Sequence, residues 1–332
     1  MLYSTTSKYL LESVSDIKIR IKMTNKIFIT GSAGCIGHYI IEELCDSTQN
    51  NHLYLLIRSP KKLHKKFHNQ ANITILEGSL EDIATHKSLL QDMNYLIHIA
   101  TNWNGAGGTQ LINIDKTTEL FELCDSENLK RIIYFSTASI LGPENKGIKE
   151  AELYGSSYVR TKYQMHQKLP ELPNNDKIVT VFPTMVFGGN ENYPKSHISE
   201  GIKSSLKYMA ILKYIYIDGA FHFLHGKDIA KVCTHLLFKA NIKKEYVLGN
   251  KEVTAKQALK TICDTFKIKQ PFQLKIPMGF IFFLSKLLRI KIGPWELHCL
   301  NNPYMVFDTV NPVTFNLKSS FPTLESILAE ST

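Results

Sequence analysis

Tyr158 and Lys162 stand four residues apart in SYVRTK (157–162), a spacing that on a helix sets both side chains on one face. An unperturbed phenol gives up its proton only near pH ~10, and a nearby ammonium favours the phenolate. Such a pair is a general acid/base usable near neutral pH. Upstream, the apolar run RIIYF ends in Ser136-Thr137-Ala138-Ser139. A hydroxyl at the C-terminal end of a parallel strand opens into the crevice where ligands bind. Thr137 is the candidate to hydrogen-bond a reacting oxygen, and Ser139 is a second candidate for substrate contact. Simple strand-end capping is the other reading of both hydroxyls.

A second stretch carries chemistry through its lack of side chains. The run KIFIT (26–30) leads into Gly31-Ser32-Ala33-Gly34-Cys35-Ile36-Gly37. Gly31 permits a tight turn, Gly34 lets backbone amides approach a pyrophosphate, and Gly37 lets helix and strand pack closely. The N-terminus of the helix that follows then faces the diphosphate. The loop thus predicts a dinucleotide site at Gly31, Ser32, Gly34, Cys35, Ile36 and Gly37, and Lys162 can also hold the nicotinamide ribose for hydride transfer. At the end of the next strand, where an acidic residue would accept from a ribose 2′-hydroxyl, stands Arg58, followed by Lys61 and Lys62. A guanidinium pairs with a 2′-phosphate, which favours NADP over NAD; a solvent-facing Arg58 is the alternative.

These groups need a scaffold, and the apolar pattern supplies one. Runs at 26–30, 53–57, 73–76, 95–100, 131–136 and 178–182 alternate with helix-length segments at 35–45, 80–91, 113–127 and 157–168. Continuous apolar strands separated by helices are the pattern of a parallel sheet covered on both faces. The expected fold is α/β, a Rossmann doubly wound parallel sheet with a smaller C-terminal substrate lobe. Its expected parts are an N-terminal extension over 1–22, loosely docked or flexible, a nucleotide-binding domain over 23–188 and a lobe over 189–332. FHFLHGKDIAKVCTHLLF (221–238) reads as a strand and helix that return to the first domain, a return extending over 221–250. Trp103, Asn104 and a glycine-rich loop at 105–108 follow the fourth strand and are expected to border the substrate.

The net charge of +9 lies largely in short runs such as Lys61-Lys62, Lys65-Lys66 and Lys243-Lys244, which read as solvated faces, with a polyanionic partner or an acidic membrane surface as the other reading. No stable nucleic-acid partner is expected. The six cysteines and twelve histidines are scattered without metal-ligand spacing, so no metal site is expected and reduced thiols are. No stretch reaches the ~20 apolar residues of a membrane-spanning helix. The nearest, GFIFFLSKLL (279–288), is expected to pack in the second lobe, with an interfacial helix or an apolar substrate wall as the other readings. Residues 1–22 lack the apolar core of a secretion signal, and a cytoplasmic protein is expected, with organelle import still open.

Taken in order, TGSAGCIG, IHIAT, YFSTASILG, Y-x-x-x-K, FPTMVFG and FHFLHGKDIA resemble the extended short-chain dehydrogenase/reductase family, also called the NAD-dependent epimerase/dehydratase family. The resemblance covers residues 26 to 250. It implies that Tyr158 is the acid/base, Lys162 its partner and Thr137 the substrate-orienting hydroxyl. It also implies that Ala100, Thr101 and the segment from Pro183 to Val186 line the cofactor pocket, with Ser79 and Leu80 on its adenine side. The sequence departs from the family at Ser79, usually Asp, at Phe182, usually Arg, and at His166, often Glu.

Within that family, dehydratases follow the threonine with an acidic pair, whereas Ala138 and Ser139 follow Thr137 here. UDP-sugar epimerases often carry Asn at the position of Thr184 and Tyr at that of Leu141. The resemblance therefore implies an NADP-dependent reductase or dehydrogenase acting on a carbonyl or alcohol of a small-molecule substrate, in a monomer or homodimer. Two alternatives stay open: a nucleotide-sugar epimerase, and a non-catalytic NAD(P)-binding regulatory or RNA-associated protein.

Overall fold

The computed structural model describes residues 24–330 except Asn104 and Ile290. The extension over 1–22 and the candidate Asn104 therefore lie outside the described residues. The sheet is built from β1 (Asn25–Thr30), β2 (Asn51–Ile57), β3 (Ile73–Glu77), β4 (Tyr95–His98), β5 (Arg131–Phe135), β6 (Ile178–Pro183), β7 (Glu245–Leu248) and β8 (Thr309–Val310). Its eight strands run in the order β8-β7-β6-β5-β4-β1-β2-β3, and every neighbouring pair is parallel.

Strand residues alternate between two apolar layers, as side chains on a pleated strand must. Ile27 and Ile29 of β1, Ile97 of β4 and Ile133 of β5 join one cluster. Phe28, Leu96, Ile132 and Tyr134 join the other. The first layer is closed by α1 (Cys35–Asp46) and α3 (Gly226–Phe238), which bring Ile40, Ile41, Leu44, Ile229, Val232 and Leu236. The second is closed by Leu120, Phe121, Met165 and Leu169. Burying an Ile, Leu or Phe side chain contributes ~1.5–3 kcal/mol, so these two layers carry most of the favourable burial.

The C-terminal residues are tied back to the sheet by polar contacts. Asp228, fully buried on α3, accepts from the Ser319 hydroxyl at 2.6 Å and from the backbone N–H groups of Ser320 at 2.7 Å and Phe321 at 3.0 Å. His225, the residue before α3, lies 2.7 Å from the Glu330 carboxylate.

Three local expectations change. The segment expected as a helix over 80–91 is a 3₁₀ helix over Leu80–His86, kinked at Asp82, followed by a short α turn over Lys87–Leu90. Leu80 and Ile83 are both buried, and three residues per turn bring positions three apart to one face. The helix expected over 113–127 starts at Ala106, so most of the 105–108 glycine loop is helical, and it passes through a wide π turn at Leu111–Asp115 before ending at Glu122. A Cβ at Gly108 would lie 2.8 Å from the Asn102 amide, so glycine there admits Asn102 against the helix. Asp125 accepts from the Glu127 N–H at 2.8 Å, a local turn that competes with further helix.

The third concerns the apolar run near residue 280. It forms a helix over Met278–Leu287, yet none of its described side chains is buried. Phe280 to Phe283 are consecutive apolar residues and spread around the helix, so no single orientation can bury them all.

Glycine at 37 is a packing requirement. A Cβ there would stand 2.4 Å from the Gly31 carbonyl oxygen and 2.6 Å from that of Ser32, both backbone atoms. Gly37→Ala is expected to cost about 1–3 kcal/mol or more in chemical denaturation. Gly34→Ala, whose Cβ meets only the Gly31 oxygen at 3.3 Å, should cost clearly less.

Candidate active site

Register brings the sequence candidates to one edge. Thr30 is level with Leu56 and His98, His98 with Tyr134, Phe135 with Val181, and Leu248 with Pro183. The residues that leave these strands, Gly31, Arg58, Ala100, Thr137 and Thr184, therefore emerge side by side. Gly31 turns with a φ of 74°, and a Cβ on it would meet the Ala100 nitrogen at 2.7 Å, so the turn is pressed against the end of β4.

Tyr158 and Lys162 lie on α2 (Ser157–Lys168), capped by Ser156, whose hydroxyl accepts from the Val159 N–H. Tyr158, Thr161, Lys162 and Met165 are the buried face of that helix. Lys162 is almost completely enclosed and donates through Nζ to the Phe135 carbonyl at 2.7 Å, with its ammonium 4.9 Å from the centre of the Tyr134 ring. Burial lowers its pKa to about 7. Burial also raises the Tyr158 phenol well above its ordinary range, while a hydrogen bond with Thr137 pulls the other way. Burial therefore acts against the phenolate that the sequence reading expects a nearby ammonium to favour. Desolvation is the larger influence on the phenol and favours its protonated form.

Thr137 caps a short 3₁₀ turn, accepting from the Ser139 N–H at 3.2 Å and donating to the Ser139 hydroxyl at 3.2 Å. Trp103 lies flat on the Tyr158 ring, with centroids 3.8 Å apart and planes at 19°, and His197 meets the indole edge-on at 5.5 Å. Trp103 is half exposed, so it forms the outer cover of the phenol.

Two buried polar residues went unnoticed in the sequence. Asn113, in the π turn, accepts from the Asn102 N–H at 2.8 Å and the Thr101 hydroxyl at 2.9 Å, and donates to the Asn102 carbonyl and to Thr161 on α2 at 3.0 Å. It fixes the segment leading to Trp103 against the Tyr158 helix. Its only sequence signal is a lone asparagine between Ile112 and Ile114, on a face that periodicity would bury. His98 bridges Thr30 at 2.7 Å and Thr117 at 2.9 Å, and complete burial lowers its pKa to about 3, so it is a neutral strut.

The glycine edge suits a dinucleotide. The N-terminus of α1 has no side-chain cap, a Cβ at Gly34 would meet only the Gly31 oxygen, and Arg58 is exposed at the end of β2. Ser79 accepts from the Glu81 N–H, and Leu80 is buried beside it. Thr101 bonds to Asn113, Pro183 is buried at the end of β6, and Val186 lies on the short strand beyond. Two loop candidates turn inward. The Ser32 hydroxyl donates to the Ile29 carbonyl at 3.0 Å, and the Cys35 thiol lies where Gly188 and Gly226 leave room, with burial pushing its pKa up to about 12.

The NAD dependent epimerase/dehydratase family model matches residues 27–249, more than half of the chain. Solved structures share the fold at low identity. The Bordetella bronchiseptica enzyme WbmH, in complex with NAD+, is 18% identical over 93% of this chain and 97% of its own, with a TM-score of 0.66. The UDP-N-acetylglucosamine 4-epimerase from Methanobrevibacter ruminantium, in complex with UDP-N-acetylmuramic acid, is 20% identical over 93% and 97%, with a TM-score of 0.66. The dTDP-glucose 4,6-dehydratase from Bacillus anthracis, in complex with NAD, is 13% identical over 92% and 95%, with a TM-score of 0.60. The family match spans the glycine turn, the Thr137 strand end and the Tyr158 helix alike, so the chain belongs to the NAD-dependent epimerase/dehydratase family and is an NAD(P)-dependent enzyme.

Proposed function

We propose that the chain is an NADP-dependent oxidoreductase acting at a carbonyl or alcohol carbon of a small organic substrate. The observation that carries this reading is the bond from Lys162 to the Phe135 carbonyl, which ties the Tyr158 helix to the end of β5, where the chain continues into Thr137. When bound, the dinucleotide supplies the hydride for reduction or accepts it for oxidation.

The residues of the chain do the rest. Tyr158, holding its proton, donates it to a substrate oxygen as negative charge develops there. Thr137 orients that oxygen, with Ser139 beside it. Lys162, anchored on the Phe135 carbonyl, holds the ribose of the cofactor and limits the charge that builds up when Tyr158 gives up its proton. Trp103 screens the site from water and must shift for a substrate to reach the phenol. The backbone of Gly31 to Gly37 and the α1 N-terminus hold the pyrophosphate. Ala100, Thr101, Pro183 and Val186 line the pocket, with Ser79 and Leu80 on the adenine side. Arg58 supports NADP: no Asp or Glu occurs between residues 53 and 76, while Arg58, Lys61 and Lys62 follow β2 directly.

A nucleotide-sugar epimerase is the second reading, supported by the likeness to a UDP-N-acetylglucosamine 4-epimerase. It differs observably, because an epimerase ends with its cofactor in the starting redox state. An acidic pair after Thr137, used for elimination in dehydratases of the family, is replaced here by Ala138 and Ser139.

Tyr158→Phe is expected to lower turnover about 10²–10⁴-fold with carbonyl substrates while leaving NADPH affinity unchanged by fluorescence titration. Turnover by Tyr158→Phe at the wild-type rate would remove the proposed acid. Arg58→Ala should weaken NADPH about tenfold or more and leave NADH unaffected, since one lost charge-assisted contact is worth ~1.5–3 kcal/mol. Equal NADPH and NADH affinities in the wild type would refute the NADP assignment.

Lys162 gives a stability signature of its own. Its pKa falls from 10.5 in the unfolded chain to about 7 in the folded protein, so the unfolded chain binds more protons between those values. The cost of burying the ammonium is complete below pH 7 and fades as pH rises through that window. Lys162→Met, without nucleotide, should therefore raise the melting temperature relative to wild type most below pH 7, and the gain should shrink toward pH 10. A gain independent of pH would contradict the buried ammonium.

A further inference from the structure

We infer that the face built by residues 206–217 and 272–291 docks on an anionic lipid bilayer surface. The two segments form one surface. Ile215–Tyr216 pairs with Leu274–Lys275, the Leu274 N–H donates to the Tyr214 carbonyl at 2.7 Å, and the Tyr214 and Phe272 rings stack at 5.0 Å. The helix Met278–Leu287 follows directly through Pro277.

This face is apolar and left uncovered. Ile211 is 70% exposed, Phe283 61% and Leu287 65%, with Phe272, Leu274 and Phe280 all half exposed or more. Large apolar side chains left exposed on joined segments mark an interaction site. Its charge selects the partner. From 265 to 295 there is no Asp or Glu, while Lys267, Lys269, Lys275, Lys286, Arg289 and Lys291 are all exposed. From 201 to 217 there is again no acid, and there are three lysines. Among the described residues only Lys275 of the six cations has a carboxylate partner, Asp218.

Large apolar side chains interleaved with unpaired cations match an interface of acyl chains under anionic headgroups, where each Lys or Arg near the surface adds attraction. A symmetric contact between two copies would set like charges opposite each other at its centre, where protein interfaces are depleted of lysine. Ile211, Leu274, Phe280, Phe283 and Leu287, exposed on this face, are apolar surface that a nucleic-acid backbone would not engage. No helix among the described residues is long and apolar enough to cross a membrane, so the contact is peripheral.

The test is co-sedimentation of the full chain with vesicles of phosphatidylcholine alone or mixed with phosphatidylglycerol. Binding is expected to the mixed vesicles only and to weaken as salt rises. The triple variant Phe280→Ser, Phe283→Ser and Leu287→Ser should lose about tenfold or more in partitioning, and so should Lys286→Glu with Arg289→Glu. Both should keep the wild-type melting temperature and NADPH affinity, which separates loss of docking from loss of fold. Absence of the wild type from the mixed-vesicle pellet would overturn the proposal, as would undiminished binding by the triple variant. So would a wild-type dimer that ignores vesicles and becomes a monomer in the triple variant, since the face would then be a contact between copies.

Discussion

In a sheet whose strands are all parallel, every strand ends on the same side, and the chain must cross over to begin again. Here that condition holds across all eight strands, so the ends of β1, β2, β4, β5 and β6 share one edge. Strand pairing thus creates the crevice before any site residue is chosen. The pairing of β1 with β4 is the strictest part, because the Gly31 turn presses on Ala100 and the start of α1 presses on the Gly31 turn. Side chains larger than hydrogen at Gly31 or Gly37 would push apart the elements that make the groove.

Polar groups inside this arrangement are held by complete hydrogen bonding or at an electrostatic cost. His98 stays neutral between two threonine hydroxyls and locks β1 to the helix carrying Thr117. Asn113 uses both its donor and acceptor atoms to join the segment after β4 to the helix of Tyr158. Lys162 has one carbonyl partner and an aromatic face, which is less than an ammonium needs. Burial with so few partners lowers its pKa, and its spare donors are what the proposed hold on ribose hydroxyls would use.

The two ends of the molecule differ in how they treat apolar residues. Around the sheet, Ile, Leu and Phe are enclosed in two layers, and even the C-terminal residues are tied in through Asp228 and the His225–Glu330 contact. Over residues 206–217 and 272–291, apolar residues of the same types stay in contact with solvent beside unpaired cations. Burial near the sheet follows from the alternation of its strands. In the second region the apolar residues are consecutive, and no layer there could cover them.

How much of this was legible in the sequence depends on the range of the interaction. The strands from β1 to β6, the glycine turn and the four-residue spacing of Tyr158 and Lys162 are local patterns, set by side-chain period and backbone freedom, and they were readable directly. The family resemblance rested on the same local motifs. Contacts between residues distant in the chain were not readable. The π turn at Asn113, the Trp103 stack on Tyr158 and the inward turn of the Cys35 thiol arise only when separate segments meet. So does the ionisation of the Tyr158 and Lys162 pair, because spacing sets which groups are neighbours while burial sets the cost of their charge. The sequence by itself determined six of the eight sheet strands, the turn and the residues at its edge. Tertiary structure alone decided which of them are enclosed, which proton is held and which apolar residues face solvent, since each depends on what the rest of the chain removes from water.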